Sequence, residues 1–478
     1  MSALPFSSAS LPARAPLKPL DVALAELLVH AGPLTGIDVV STFDADGRVL
    51  AQDLVASLDV PAHDNSGMDG YAVRSRDWHD ATTELTVNQR IPAGHSGTAL
   101  ADLSAARIFT GAPVPPGADA VVMQEDCTAT PAADGVAATV RVQVRPELGQ
   151  WIRRKGEDVA SGAVVLAAGA RLGPASLGLA ASIGFANLHV APRVRIALFS
   201  TGDELVMPGD VAPAEMPPGA IYNSNRFFLR ALLQRLGCTV TDLGIVPDNR
   251  AATLDALQQA AARHDLILTS GGVSVGEEDH IKPAVLALGQ LDLWQIAIKP
   301  GKPFAYGKIK KTVQLEPVDA TGNTASGFAH SADFTHFIGL PGNPVSSFVT
   351  FLLLVRPFIL KLQGATDTAM QSIAVRADFD RAKADKRREF LRVRHNSGGG
   401  LDLFDNQSSG VLTSAVWGDG LVDNPAGKTI ARGDTVQSLP FPHCSADGPE
   451  MKVTIKYFAS TREALGQGAI PLKIGSDI

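Results

Sequence analysis

Apolar strands and amphipathic helices alternate through the middle of the chain. Buried or extended strands are predicted by apolar runs at residues 194–199, 239–246, 266–268 and 293–298. Helices are predicted by the spacing of apolar positions at residues 226–236, 252–263, 282–288 and 345–362. Ser224 or Asn225 is placed to cap the first of these helices, and Gly237 to end it. The alternation predicts an α/β domain with a doubly wound, mostly parallel sheet covered by helices on both faces.

The sequence on either side follows other patterns. Residues 1–19 contain four prolines and are expected to form a leader without regular structure. Leucines at positions 20, 24, 27 and 28 recur at helical spacing, and Gly32 with Pro33 predicts the end of that helix. Residues 51–149 contain short β-like runs separated by Gly and Pro turns, and residues 370–443 return to this pattern. Each of these two stretches is expected to fold as a β-rich domain.

Composition and charge narrow the class of protein. The chain of 478 residues is too long for one hydrophobic core, and its 45% apolar and 19% charged residues are typical of globular proteins. The chain has a net charge of −7, whereas a nucleic-acid binder is expected to have an excess of basic residues. An anionic ligand would therefore need local cationic groups, or a bound cation, to overcome a weakly repulsive average field.

Cysteines and apolar stretches bear on the compartment. The three cysteines, Cys127, Cys238 and Cys444, show no C-x-x-C spacing, so we expect neither a zinc site nor a disulfide framework, and a cytoplasmic location. The first twenty residues lack the apolar run of a signal peptide. The most apolar stretch, residues 348–355, stops at Arg356 and is too short to span a bilayer, so a buried core helix is expected and no membrane.

Three glycine-bearing loops follow predicted strands, where ligands bind in open α/β sheets. Glycines let the backbone approach a ligand closely, and N–H groups at a helix start favour anions. One such loop is as often a plain turn, but three in one domain predict a phosphate-bearing ligand. The loops are STGDE at residues 200–204, TSGGVSVGEED at 269–279 and LPGNP at 340–344. Their candidate ligand-binding residues are Ser270, Gly271, Gly272, Ser274, Gly276, Pro341, Gly342, Asn343 and Pro344.

Two lysines lie in a stretch of constrained backbone, IKPGKP at residues 298–303. A lone lysine is usually solvated, but prolines and a glycine would hold Lys299 and Lys302 in set directions beside the strand-exit loops. Neutralisation of a substrate oxyanion is therefore the preferred interpretation. A second basic cluster occupies residues 153–155, and by itself such a triplet is typical of a solvated surface.

Five acidic residues stand in glycine-bearing turns, namely Asp69, Asp158, Glu204, Asp248 and Asp279. Taken singly, each is more often a turn or helix-cap residue than a catalytic group. Together they supply the oxygen ligands that magnesium uses beside phosphates, and a metal would reconcile an acidic site with an anionic substrate. The loop that holds Asp69, residues 64–72, is either an ordered connection between strands or a lid over a cleft.

These motifs, in this order, resemble the molybdopterin molybdenumtransferase family, which includes the bacterial MoeA proteins and the gephyrin E domain. The resemblance runs from about residue 18 to about residue 443. The matching motifs are DNSGMDGYA at residues 64–72, FTGAPVP at 109–115, RRKGED at 153–158, STGDEL at 200–205, SGGVSVGEED at 270–279, IKPGKP at 298–303 and LPGNP at 340–344. Several long motifs in a fixed order are far more specific than one glycine loop.

The resemblance implies an elongated homodimer whose subunits have four domains. They would be a discontinuous linker domain (18–50 plus 150–190), a β-rich lid domain (51–149), an α/β molybdopterin-binding domain (191–366) and a C-terminal β-barrel-like domain (370–443). The cleft would lie between the α/β domain and the lid of the partner subunit. Active-site roles would fall on Asp69, Thr110, Asp158, Glu204, Asp248 and Asp279, with Pro341 and Pro344 shaping the neighbouring loop.

The reaction implied is insertion of molybdate into adenylyl-molybdopterin with release of AMP. Mg²⁺ held by Glu204 and Asp279 would stabilise charge on the departing AMP. Lys299 and Lys302, with the cluster at 153–155, would neutralise molybdate, and Thr110 would donate a hydrogen bond to an oxyanion. Other molybdenum-cofactor biosynthesis proteins are the expected partners. Two alternatives remain, an adenylyltransferase acting on molybdopterin in the preceding step and a gephyrin-like clustering scaffold.

Some features depart from the family pattern. His63 stands where an aromatic residue is usual and is expected to alter lid packing, His280 stands where a tyrosine is often found, and a polar insertion at residues 310–336 is atypical. Residues 451–478 resemble the opening of the molybdopterin synthase small subunit but lack its terminal Gly-Gly. We interpret this tail as a truncated fusion partner, since so short a segment cannot bury a core alone.

Overall fold

A six-stranded sheet lies at the centre of the computed structural model, which describes residues 17–133, 135–272, 280–311 and 333–441. The strand order is Thr239–Val246, Arg195–Thr201, Leu266–Ser270, Phe334–Leu340, Pro303–Lys310 and Gly289–Gln295. The first four strands are parallel, and the last two add an antiparallel edge. The predicted doubly wound, mostly parallel sheet is therefore confirmed.

Helices cover both faces of this sheet. They span Asn225–Arg235, Arg250–Arg263, Ile281–Leu288 and a composite run from Pro344 to Leu362. Successive strand residues point to opposite faces, so Leu198 packs with Leu229 in one hydrophobic cluster while Phe199 packs with Leu257 in another. The Asn249 side chain accepts a hydrogen bond from Ala252 N at 2.9 Å, so the second helix begins two residues before its predicted start.

The composite helix has three parts, Pro344–Thr350, a π-helical turn at Phe351–Val355, and Arg356–Leu362. Pro357 has no N–H to donate to the carbonyl four residues earlier, which favours a wider turn just before it. By length and composition the run could cross a membrane, but 78% of its 18-residue apolar window is buried inside the protein. It packs in the core, as the sequence predicts.

The predicted bounds of the insertion, residues 310–336, include strand residues at both ends. Lys310 pairs with Phe334 as the last rung of an antiparallel ladder, and His336 is a buried strand residue. The insertion therefore connects two neighbouring antiparallel strands, where extra length leaves the ladder intact. Residues 312–332 lie outside the described part of the chain, as do residues 1–16, Cys444 and the tail at 451–478.

The N-terminal third forms two units. Short strands pair Asp38–Ser41 with Asn187–Val190 and Leu54–Val55 with Val164–Leu166, so segments far apart in sequence share one core with the helix Pro174–Ser182. The helix Leu20–Val29 instead buries Leu20 and Leu27 in the core of the central sheet. Between these segments lies a six-stranded lid sheet, in the order Ala120–Met123, Gly70–Val73, Ser104–Ile108, Glu84–Ile91, Thr139–Val142 and Cys127–Thr130.

A closed barrel forms the C-terminal domain, as the sequence predicts. Its strands follow the order Arg388–His395, Gly400–Leu403, Ile373–Ala377, Thr435–Pro440 and Gly420–Asn424, and the last pairs with the first. Closure leaves no free strand edges within the ring. A short helix, Thr413–Trp417, lies between two of these strands, and Ile298–Lys299 of the preceding domain pairs in parallel with Arg388–His395.

A buried aromatic group joins the N-terminal helix to the central sheet. The ring of His30 stacks on Tyr306 at a centroid distance of 4.7 Å, and the Tyr306 hydroxyl is hydrogen-bonded to His336 Nδ1 at 3.0 Å. Burial lowers the pKa of His336 from 6.5 to about 4, with repulsion from Lys308 as a smaller cause. The imidazole is therefore neutral in the folded protein at neutral pH.

Protonation of His336 should couple stability to pH. The unfolded chain binds this proton near pH 6.5 and the folded chain only near pH 4, so the free energy of unfolding falls as pH drops through that window. We expect this group to cost about 2 kcal/mol between about pH 7.5 and about pH 5. Urea unfolding at both pH values should show a smaller decrease for His336→Asn than for the wild type. His95→Asn, at an exposed position, is the control, and an unchanged decrease in His336→Asn would contradict this account.

Candidate active site

Three parallel strands end side by side at the carboxyl edge of the central sheet. Ser200 is in register with Ser270, and Ser270 is in register with Leu340. The three glycine-bearing loops singled out in the sequence therefore leave the sheet at one place. The structure describes only the start of the second loop, and Ser274, Gly276 and Asp279 lie outside the described residues.

Asn225 links two of these loops. Its Nδ2 donates hydrogen bonds to Ser270 Oγ and to the carbonyl oxygen of Gly342, both at 2.7 Å. Asn225 is buried at the start of its helix, where Ser224 occupies the N-cap position. The sequence predicts Asn225 only as a possible helix cap. The nearby Asn223 is another possible cap, and a helix start needs only one capping side chain. The sequence therefore left Asn225 available for a second role.

Gly271 and Gly272 permit a close approach between neighbouring loops. Their φ angles are +95° and +65°, which side chains other than glycine rarely adopt. A Cβ at Gly271 would lie 2.9 Å from the Thr201 carbonyl oxygen, and a Cβ at Gly272 would lie 2.5 Å from Ile281 Cγ1. Gly271 N also donates to the Leu340 carbonyl oxygen at 3.1 Å. Both glycines thus allow the loops to pack against their neighbours at distances that a side chain would prevent.

Several buried polar atoms near this edge lack a hydrogen-bond partner within the part of the chain that the structure describes. They are Ser200 Oγ, Thr269 Oγ1, Asn223 Nδ2 and Asn225 Oδ1. Buried polar atoms are normally satisfied, and leaving one unpaired costs about 1–3 kcal/mol. The edge therefore has unused hydrogen-bonding capacity beside the loops that were predicted to bind ligand.

The acidic candidates of this domain occupy adjacent strand ends. Glu204 is exposed just after Arg195–Thr201, and Asp248 is half-buried just after Thr239–Val246, whose last residue is in register with Thr201. Across the described ranges, no three Asp, Glu, His or Cys side chains form a metal cluster. Of the two predicted metal ligands, Glu204 lies within these ranges and Asp279 lies outside them.

Lys299, predicted to neutralise a substrate oxyanion, is paired with carboxylates of the protein in this structure. Its Nζ lies 3.0 Å from Asp385 Oδ2 and 3.1 Å from Glu389 Oε1, both in the C-terminal domain. Glu389 is buried and also pairs with Arg381 at 2.7 Å. Burial alone would raise the pKa of Glu389, but Arg381 and Lys299 hold it below its usual value. Lys299 therefore joins two domains through ion pairs, and its charge is already neutralised.

Lys302 keeps its charge available. The side chain is half-buried in the same loop, and among the described residues it has no carboxylate within ion-pair distance. Asn343 is exposed and Pro341 is buried in the adjoining loop, with Pro344 at the first position of its helix. Of the two predicted lysines, Lys302 is the one that can face an anion at this edge.

Three distant motifs meet on one surface of the lid. Ser66 N donates to the Ala112 carbonyl oxygen, and Gly111 N donates to the Ser66 carbonyl oxygen, each at 2.8 Å. The short strand Asn65–Ser66 then pairs with Ile152–Arg153. Residues 64–72, 109–115 and 153–158 are thereby held together.

Asp69 and Thr110 form the most closely hydrogen-bonded pair of predicted site residues. Thr110 donates from both N and Oγ1 to Asp69 Oδ1, each at 2.7 Å. These hydrogen bonds, the backbone one above all, lower the pKa of Asp69 against the opposing effect of burial. The Thr110 hydroxyl proton is committed to Asp69, so Thr110 orients this carboxylate. The predicted donation from Thr110 to an oxyanion is therefore not what the structure shows.

The basic cluster at residues 153–155 is largely neutralised within the protein. Arg154 Nη1 lies 2.7 Å from Asp64 Oδ2, and Lys155 Nζ lies 3.2 Å from Asp59 Oδ2. These two cations brace the loop, while Arg153 is exposed. Asp158 is also exposed, and its backbone N donates to the Val60 carbonyl oxygen at 3.0 Å. All of these charged side chains are exposed, and Arg154 and Lys155 are paired with carboxylates while they face solvent.

Comparison with known proteins covers most of the chain. Residues 18–184 match the MoeA N-terminal region (domain I and II), residues 197–361 match a probable molybdopterin binding domain, and residues 374–441 match the MoeA C-terminal region (domain IV). A molybdopterin molybdenumtransferase from Haemophilus influenzae is 41% identical over 345 residues, which is 72% of this chain and 78% of that protein. One from Nostoc sp. is 33% identical over 423 residues, or 85% of this chain and 89% of that protein.

Solved structures show the same architecture. The molybdopterin biosynthesis MoeA protein from Pyrococcus horikoshii OT3 superposes with a TM-score of 0.71 at 26% identity, covering 89% of this chain and 100% of that one. The three domain matches follow one another along the chain, and they indicate the same family as the names of the relatives. The enzymatic function predicted from the sequence is thus confirmed, and the chain belongs to the molybdopterin molybdenumtransferase family.

Proposed function

We propose that the chain inserts molybdate into adenylylated molybdopterin and releases AMP at the carboxyl edge of the central sheet. The observation that carries this proposal is the Asn225 amide, which holds the loops at Ser270 and Gly342 together beside buried polar atoms that have no partner among the described residues. A ligand with a phosphoanhydride brings many oxygen acceptors to such an edge. Loops fixed in advance lose little conformational entropy when that ligand binds.

The residues divide the chemistry between them. Backbone N–H groups of the glycine-bearing loops and the Lys302 ammonium would contact anionic oxygens of pterin phosphate, AMP and molybdate. The carboxylate of Glu204 lies beside Gly202, where a Cβ would be only 2.5 Å from Glu204 Oε2. Cleavage of the phosphoanhydride would supply the free energy for placing molybdenum on the dithiolene. Molybdate is a substrate in this scheme.

Mg²⁺ is the cation that this scheme implies. It typically takes one or two carboxylates and completes its octahedral shell with phosphate oxygens and water. An exposed carboxylate at a strand exit, such as Glu204, fits that donor chemistry without a cluster of three acids. Glu204 would hold the ion together with Asp279, the second predicted ligand. When bound, the ion supplies positive charge beside the phosphate oxygens.

We further propose a homodimer in which the lid of one subunit completes the sheet edge of the other. The Asp69 and Thr110 pair is fixed within the lid, and the Asn225 link is fixed within the α/β domain, so each half of the site is built separately. Asp69 is ionised and oriented, with Oδ1 taken by Thr110. It can therefore present its second oxygen to a ligand held by another copy.

A reducing cytoplasm suits this chemistry. The dithiolene sulfurs of the substrate oxidise readily, and direct transfer between enzymes would protect them. Other enzymes of molybdenum-cofactor synthesis are accordingly the partners that we propose. The two cysteines within the described residues, Cys127 and Cys238, are unpaired, and burial raises both pKa values to about 12, which keeps the thiols protonated and unreactive.

Removal of the Glu204 charge should stop turnover while the protein stays folded. We expect Glu204→Gln to lower AMP release from adenylyl-molybdopterin, with molybdate and Mg²⁺ present, by at least about a hundredfold. Asp279→Asn should behave alike. Glu215→Gln, at an exposed position of the same domain, is the matched control and should keep full activity. Normal AMP release by Glu204→Gln would refute the assignment, and accumulation of adenylyl-molybdopterin from ATP would favour the adenylyltransferase instead.

Mixed dimers test whether the lid acts on the partner subunit. Asp69→Asn and Glu204→Gln should each be inactive alone. In a randomly mixed preparation half of the dimers carry both variants, and each of these contains one site with Asp69 and Glu204 both intact. We therefore expect recovery of about a quarter of wild-type AMP release. If each site were built within one subunit, co-refolded mixtures would stay as inactive as the separate variants.

A further inference from the structure

A cavity of 330 Å³ lies where the linker domain meets the segment that follows the composite helix. The linker domain contributes Gly169, Ala170 and Arg171, and the opposite wall includes Arg356 and Asp367. None of its lining residues belongs to the strand-exit loops or to the lid motifs described above. It is therefore separate from the proposed active site.

The two walls of this cavity are fixed against each other. Thr366 donates to the Gly169 carbonyl oxygen from its backbone N at 3.1 Å and from its Oγ1 at 3.3 Å. A Cβ at Gly169 would lie 2.5 Å from Thr366 Cγ2, so the segments are already in close contact. The cavity is thus preformed.

Arg171 and Arg356 both line the cavity, and neither is in an ion pair with a carboxylate of the described residues. Arg171 donates to the carbonyl oxygens of Gly47 at 3.3 Å and Arg235 at 3.2 Å, and Arg356 donates to that of Thr368 at 3.0 Å. Throughout the described ranges, neither side chain has an acidic group within 4.0 Å. Neutral carbonyls satisfy some of their N–H groups but leave both charges in place.

The charges are also partly removed from water. Arg356 Nε is buried and has no hydrogen-bond partner in the described residues. Burial lowers the pKa of Arg356, repulsion from Arg171 adds to this effect, and attraction to Asp367 opposes it only in part. Asp367 is the one acid lining the cavity; it is exposed, and its Oδ1 accepts a hydrogen bond from Ala369 N at 3.2 Å. Two positive charges and one negative charge leave a net charge of +1, which is unfavourable where hydration is reduced.

We propose that this cavity binds a small tetrahedral oxyanion of the sulfate or phosphate class between Arg171 and Arg356. Guanidinium groups suit such anions because their planar N–H pairs match two oxygens at once. The volume of 330 Å³ admits such an ion with its water. A bound anion would bridge the linker domain and the α/β domain, and would stabilise their relative orientation.

Sulfate binding to the full-length protein tests this site, because sulfate is not a substrate of the proposed reaction. Calorimetric titration with sodium sulfate, against sodium chloride at equal ionic strength, should show saturable binding to the wild type. Arg171→Gln and Arg356→Gln should each bind at least about tenfold more weakly. Arg145→Gln, an exposed lid residue, should bind as the wild type does. Equal binding by all four proteins, or no binding beyond chloride, would overturn the proposal.

A second pair of measurements covers the case in which Arg356→Gln fails to fold. Asp367→Asn keeps both arginines and removes the opposing charge, so sulfate should bind about threefold or more tightly. A selenate-soaked crystal should show an anomalous peak between the two guanidinium groups. A peak found only at the strand-exit loops would refute the site. So would weakened self-association of Arg171→Gln without sulfate binding, since a carboxylate of a second copy would then be the counter-charge.

Discussion

Parallel pairing of three buried strands is the constraint on which the site depends. Ser200, Ser270 and Leu340 lie in register, so the loops that follow them must leave the sheet together. A slip of one residue would send Leu198 and Phe199 to each other's hydrophobic cores. Burial on both faces therefore fixes the register, and the register places the loops. The Asn225 amide then joins two of them at a distance set by hydrogen bonds.

Charge is distributed so that most cations near the site are neutralised within the protein. Lys299 pairs across a domain boundary with Asp385 and Glu389, and Arg154 and Lys155 pair within the lid. The Lys299 pairs hold two domains together, because the buried Glu389 charge is costly without a partner, whereas the exposed Arg154 and Lys155 pairs link neighbouring loops. Lys302 has no carboxylate within ion-pair distance among the described residues. A chain of net charge −7 thus keeps an uncompensated cation beside the strand-exit loops.

Different contacts join the domains at each boundary. The barrel is joined to the α/β domain by the pairing of Ile298–Lys299 with Arg388–His395. The linker domain is joined to the α/β domain by a hydrogen bond from Thr366 to the Gly169 carbonyl oxygen. The strands on either side of the insertion remain paired with each other up to Lys310 and Phe334. The similarity to MoeA proteins over residues 18–441 reflects this shared scaffold, whereas chemistry is decided by the loops on it.

The sequence by itself determined most of the elements and their order, but it did not predict the strand Pro303–Lys310, and it assigned the start of Phe334–Leu340 to the insertion. Apolar periodicity predicts Thr239–Val246 at its observed bounds and the helix Asn225–Arg235 to within one residue, because that signal is local. Tertiary structure alone decided what the polar side chains do. Lys299 forms ion pairs with carboxylates far along the chain, the Thr110 hydroxyl donates its hydrogen bond to Asp69, and the Asn225 amide donates to two loops. Such partners are brought close only by folding, and hydrogen bonds and ion pairs act over a few ångströms whatever the separation in sequence.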